Sequence, residues 1–169
     1  NDKLKAIGRR HDNQLAKEKL QLALEFFDNV SCDMLIGLPD MNKEEFLKQI
    51  EWLCSTNVKH ISAYMLQVEE NTKLSKMIAE KEISIPDDDL SVLAYEDMVK
   101  LLNKRGFERY EVSNFALPGY ESKHNLKYWT GEEYLGFGLG AHSYYNGKRF
   151  ANASNFEDYY KGKIAYLEE

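Results

Sequence analysis

Between His124 and Ser143 the chain reads HNLKYWTGEEYLGFGLGAHS, which gathers two imidazoles, an indole and glycines at 136, 138 and 140 into one short segment. Neither the period of a helix nor the alternation of a strand accounts for that composition. Imidazole ligates metals, moves protons or holds structural hydrogen bonds near neutral pH, so His124 and His142 each keep all three options. Tyr128 and Trp129 could stack on a flat ligand or fill core space. Closely repeated glycines give positive φ or close backbone approach at an entropic cost, which suits a segment that something sits against. Gly136, Gly138 and Ala141 also fit the dinucleotide pattern G-x-G-x-x-A. That fingerprint requires a helix after its glycines, and SYYNGKRF (143–150) has no helical pattern, so the match is set aside.

A second chemical signal is Asp33, in the middle of the apolar run VSCDMLI (30–36). A carboxylate inside a buried strand is costly unless it is ion-paired or bonded to a ligand. Strand alternation puts Ser31, Asp33 and Leu35 on one face, so Asp33 is expected to point inward, answered by an internal Arg or Lys or by a bound molecule. Near the amino end, Arg9 and Arg10 could clamp a carboxylate or stand as an exposed basic pair.

Alternating strands and helices must position these groups. Leu15, Leu20, Ala23, Leu24 and Phe27 recur at helical spacing behind Asp12 and Asn13 as caps. The run 30–36 reads as a strand buried on both faces, closed by Gly37 and Pro39. Asn42 with Glu45 boxes a second helix carrying Phe46, Leu47, Ile50 and Leu53. HISAYMLQV (60–68) reads as another buried strand, followed by a short polar helix from Asn71 and Thr72. Asp87 to Asp89 start a long helix that Gly106 closes. RYEVSNF (109–115) reads as a third strand. Ser154 with Glu157 predicts a last helix carrying Phe156, Tyr160, Ile164 and Leu167. This order predicts an α/β fold of right-handed βα repeats around a parallel sheet. Glu69 to Thr72 and the residues from Asn114 onward then lie where such folds collect binding groups, at the carboxyl ends of strands.

Composition narrows the function. The 169 residues are 43% hydrophobic and 12% aromatic, enough for one core. The net charge of -6, with basic residues scattered among acids, argues against a nucleic-acid partner. No apolar run reaches membrane-spanning length, and NDKLKAIGRRHDN lacks the apolar core of a signal peptide, so a cytoplasmic location is expected. Cys32 and Cys54 are too few for a disulfide scaffold and suit a reduced pair. The chain opens without Met or a first strand, and three βα repeats leave bare sheet edges, so a fragment lacking a preceding half is expected. Bare edges favour association, a homodimer being one form of it.

An ordered set of motifs carries a resemblance: IGRRH (7–11), DMLIGLP (33–39), HISAYML (60–66), RYEVSNFALPG (109–119), HNLKYW (124–129) and YLGFGLGAHS (134–143). Together they resemble the oxygen-independent coproporphyrinogen III oxidase family of radical S-adenosylmethionine proteins, over nearly the whole chain. The most specific element, H-N-x-x-Y-W, is similar to the signature that separates the heme chaperones of that family from its true coproporphyrinogen dehydrogenases. The resemblance implies a (βα)6 partial, TIM-like barrel, its carboxyl-terminal half spanning residues 1–145, with residues 146–169 beginning a further region. It implies S-adenosylmethionine and a 4Fe-4S cluster in the intact parent, and heme as the group bound and passed to an acceptor protein. Arg9 and Asp33 fall at S-adenosylmethionine-contacting positions, with Gln67 and His142 beside the same pocket. His124 becomes the candidate heme-iron ligand, with Asn125, Tyr128 and Trp129 as candidate heme contacts. One departure is plain: the family holds its cluster with CxxxCxxC, and this chain has only Cys32 and Cys54. Radical chemistry by this piece alone is therefore not expected.

Overall fold

A computed structural model describes residue 4 and residues 7–168. The chain divides between Glu121 and Ser122 into two compact units.

In the first unit the helices begin where side-chain caps exist. Asp12 accepts from the Leu15 amide to start α1 (Asn13–Phe26), and Asn42 accepts from the Glu45 amide to start α2 (Lys43–Cys54). Thr72 caps α3 (Lys73–Ala79), and Asp87 caps α4 (Asp88–Lys104), which has Asp88 and Asp89 in its first turn. Each cap satisfies an amide that the helix itself leaves unpaired. Gly106, at φ 87°, takes the chain out of α4.

Between these helices β1 (Ser31–Ile36) and β2 (His60–Met65) pair in parallel, from Ser31 opposite His60 to Ile36 opposite Met65. Paired residues share a face, so two unlike surfaces result. One carries Cys32, Met34, Ile36, Ile61 and Ala63. These pack with Phe46, Ile50 and Leu53 of α2 and with Ala94, Met98 and Leu102 of α4. The opposite face carries Ser31, Asp33, His60, Ser62 and Tyr64, and on it Ser31, Asp33 and Tyr64 are exposed. The expectation of strands buried on both faces is therefore corrected: helices cover one face only.

The expected third strand is also two strands. β3 (Glu108–Arg109) turns back into β4 (Asn114–Ala116), and the sheet order is β1-β2-β4-β3, with β4 antiparallel to both neighbours. The cause is Glu111, whose carboxylate accepts from the Ser113 amide at 2.8 Å and from the Asn114 side-chain amide. A side chain that bonds its own backbone two residues on offers the chain a turn in place of a ladder. Leaving aside this inserted hairpin, the α/β arrangement with parallel strands follows the expected partial-barrel class.

The second unit holds α5 (Lys123–Thr130), capped by Ser122 and ended by Gly131 at φ 70°. Its sheet has the order β5 (His142–Tyr145), β6 (Lys148–Asn152), β7 (Ile164–Glu168) and is antiparallel throughout. Asn146 and Gly147, at φ 51° and 71°, make the two-residue turn between β5 and β6, the Asn-Gly signal of a tight hairpin. The last helix is shorter than its apolar spacing suggested. α6 (Phe156–Tyr160) starts from Asn155 rather than Ser154, and Gly162 at φ 69° redirects the chain so that Ile164 onward pairs with β6. The open edge of β6 claims residues that a helix would otherwise hold.

Ile50 is fully buried between helix and sheet. Ile50→Ala is expected to cost about 2–5 kcal/mol, the range for emptying a buried aliphatic site, as read by denaturant unfolding. A loss under about 0.5 kcal/mol, the usual size of a surface substitution, would contradict this core.

Candidate functional site

The open face of the first sheet carries a polar network. His60 is buried with both ring nitrogens engaged: Nδ1 lies 2.7 Å from the Ser31 hydroxyl and Nε2 lies 2.6 Å from the Tyr110 hydroxyl. Burial pushes the His60 pKa down from its ordinary value, against the opposing pull of the Asp33 and Glu111 carboxylates. A neutral imidazole with one donor and one acceptor nitrogen suits two hydroxyl partners, each able to give or take a proton. Next to this row, Asp33 pairs across to Ser62 and Ser62 pairs across to Asn114, so three polar residues from three strands lie side by side. Ser62 and Asn114 are both buried.

Asp33 is exposed rather than enclosed, and among the described residues no salt bridge reaches it. The internal Arg or Lys that could have answered it is therefore not found there. Gln67 is exposed two residues beyond Met65, the last paired residue of β2, and Arg9 is exposed ahead of α1. These three belong to the first unit. His142 belongs to the second, exposed at the start of β5. His60, Ser62 and Tyr110 are not marked out by the sequence, whereas Asn114 begins a stretch expected at the carboxyl end of a strand. Their signal was the alternation Ser31-x-Asp33 and His60-x-Ser62, polar residues two apart within apolar strands.

In the second unit α5 sets His124 and Tyr128 one turn apart on one helix face. The Tyr128 hydroxyl meets His124 Nε2 at 3.0 Å, the two rings stand edge to face, and Tyr134 packs edge to face on Tyr128 with centroids 4.7 Å apart. His124 and Tyr128 are exposed, as is Trp129, and Asn125 is half-buried. An exposed imidazole beside solvent-facing aromatic surface can meet a planar metal-bearing ligand.

The glycines beside that helix serve the chain's own packing. The Gly136 amide donates to Ser143 Oγ at 3.0 Å and the Gly138 amide to the Tyr159 hydroxyl at 3.1 Å. The Asn152 side-chain amide donates to the carbonyls of Gly136 and Gly138 at 3.1 and 2.9 Å. A Cβ at Gly136 would fall 2.3 Å from the His142 carbonyl oxygen. What sits against these glycines is β5, β6 and α6.

The cysteines do not fit an iron-sulfur cluster. Cys32 lies on the helix-covered face of β1 and Cys54 at the end of α2, both half-buried beside the core. Burial pushes both thiols up, with Asp33 adding to the effect at Cys32, whereas cluster ligands are thiolates. No cluster of three or more His, Cys, Asp or Glu suited to a metal occurs among the described residues.

No protein-family model matches the chain. Curated relatives do. It is 35% identical over 159 residues to the heme chaperone HemW of Bacillus subtilis, covering 94% of this chain and 42% of that protein. It is 37% identical over 142 residues to HemW of Escherichia coli, covering 83% and 36%. The mitochondrial radical S-adenosyl methionine domain-containing protein 1 of Danio rerio is 37% identical over 142 residues, covering 83% and 32%. Among solved structures, coproporphyrinogen III oxidase HemN of Escherichia coli, a radical SAM enzyme, superposes with a TM-score of 0.70 at 17% identity, covering 95% of this chain and 40% of that one. The fold is thus that of HemN, and in sequence the chain is similar to named members of a family of radical S-adenosylmethionine proteins. Within it, the sequence similarity is to the HemW heme chaperones. The chain spans less than half the length of these relatives.

Two outcomes follow from the geometry. Because folding lowers the His60 pKa, the unfolded chain binds more protons below its ordinary value near 6.5, so stability should be full above that pH and fall as pH drops through it. Denaturant unfolding between about pH 8 and pH 5 reads this slope, and His60→Gln should flatten it. A wild-type slope of opposite sign would refute the neutral assignment. Gly136→Ala should destabilise by about 2 kcal/mol or more, since rigid backbone blocks the added methyl. A variant with an unchanged Tm would contradict the tight loop.

Proposed function

We propose that a protein carrying this chain binds heme and delivers it to an acceptor protein in the cytoplasm. The observation that carries the proposal is α5, where the motif HNLKYW places an exposed imidazole edge to face with Tyr128, which Tyr134 supports in turn, beside an exposed Trp129. In this reading His124 ligates the heme iron, Tyr128 and Trp129 lie along the macrocycle, and Asn125 supports a polar edge. The Tyr128 hydroxyl bonded to His124 Nε2 orients the ring before ligand arrives and must yield if that nitrogen takes the iron. Similarity to relatives named heme chaperones supports the choice of cargo. Among the described residues no helix is long and apolar enough to cross a membrane.

S-adenosylmethionine fits the open face of the first sheet, where the unpaired Asp33 carboxylate would receive a hydroxyl or amino group of the ligand. Arg9 would meet the ligand's carboxylate, and Gln67 would lie beside it. The bound molecule supplies, when reduced, a source of a carbon-centred radical. What this chain's residues do is bind and orient. A 4Fe-4S cluster would belong to cysteines of the parent that this chain does not contain, and residues 146–169 would begin the region that follows the barrel part at 1–145. A catalytic alternative, oxidation of coproporphyrinogen III, draws on the likeness to the HemN fold.

Heme titration of the full-length parent, followed at the Soret band, tests the proposal. Wild type should shift the band, and His124→Ala should weaken binding by about tenfold or more, the scale of one lost ligand contact. Tyr128→Phe should retain it. No shift in wild type would overturn the heme reading, an unchanged His124→Ala would overturn the ligand assignment, and decarboxylated product from coproporphyrinogen III would overturn the chaperone reading.

A further inference from the structure

Asn114 as a residue is 5% exposed. Its Nδ2 group donates to the Glu111 carboxylate, and because a carboxylate accepts only, the amide's orientation is fixed by that bond. Its Oδ1 then has no hydrogen-bond partner, and it is the buried side-chain polar atom left so among the described residues. A buried carbonyl without a donor weakens the fold that contains it, and such atoms call for an explanation. Asn114 stands in the same cross-strand row as Ser62 and Asp33. That row therefore presents a carboxylate at one end and an unsatisfied carbonyl at the other, two acceptors and no cation paired with either among the described residues.

We propose that Asn114 Oδ1 accepts a hydrogen bond from an N–H or O–H group of the small molecule that Asp33 also holds, S-adenosylmethionine. This extends the ligand-binding row from β1 across β2 to the inserted strand β4. The inference rests on the proposed role of the open face in binding that ligand. It gives the β3–β4 hairpin a use: Glu111 shapes the turn and takes up the amide of Asn114, leaving the carbonyl for the ligand. Apolar residues at 114 would fill the same volume without the acceptor.

The test is calorimetric titration of S-adenosylmethionine into the full-length parent with its cluster assembled, together with Tm of each variant without and with ligand. Asn114→Leu should weaken binding about tenfold, the effect of one hydrogen bond to a buried acceptor, and shrink the ligand-induced rise in Tm. If Asn114→Leu fails to fold, Asn114→Ser gives the same comparison with a shorter reach. Asp33→Asn separates the two levels. Weakening by Asp33→Asn with no effect at Asn114 would overturn this inference and leave the pocket reading standing. No effect from either would overturn the pocket reading and the inference with it.

Discussion

The parallel pairing of β1 with β2, in register from Ser31–His60 to Ile36–Met65, divides the first unit into a packed side and a polar side. Because side chains alternate with a period of two, a shift of one residue in either strand would carry Asp33 and Ser31, or His60 and Ser62, into the helix-covered core. The apolar partners Ile36, Ile61 and Ala63 hold the register from one side through α2 and α4. The hydroxyl-imidazole-hydroxyl chain of Ser31, His60 and Tyr110 holds it from the other. Removal of either constraint frees a slip that costs both the core and the polar row.

Much of this was legible in the sequence because the signals were local. Asp12, Asn42 and Asp87 announced their helices as caps, and each accepts the amide three residues on. The family likeness, too, was carried by short ordered motifs. The errors came where a long-range or side-chain effect decided. RYEVSNF has no glycine or proline to mark a turn, so the Glu111-directed reversal was hidden within a β-prone run. Ile164 and Leu167 fit a helical spacing, yet an unpaired sheet edge and Gly162 turned them into a strand. Asp33 was legible as chemically unusual. Its exposure was not, since one strand's sequence does not say which face the helices leave bare.

The second unit separates two features that adjoin in sequence. The glycine segment looked like a ligand cradle, but its amides and carbonyls are taken by Ser143, Tyr159 and Asn152. Backbone groups already bonded have little to offer a ligand. The helix before it differs. Its His124–Tyr128–Tyr134 stack is held by two edge-to-face contacts and one hydrogen bond while leaving the rings in contact with solvent. The close approach at Gly136 thus ties the loop to β5, whereas α5 keeps the rings of His124, Tyr128 and Trp129 exposed.

The two cysteines limit what the chain contributes chemically. A thiolate ligand needs a setting that favours the charged form, such as a nearby cation or metal. Cys32 has the reverse: apolar packing on its own face and the Asp33 carboxylate one residue away both favour the neutral thiol. The same alternation that presents Asp33 to the open face sends Cys32 toward the core, so one register produces an exposed acid and a half-buried thiol at adjacent positions. At Cys54 the Arg105 guanidinium pulls toward thiolate, but burial outweighs it. The sheet therefore carries its acid on the open face and its thiol on the packed face, where burial raises the thiol's pKa.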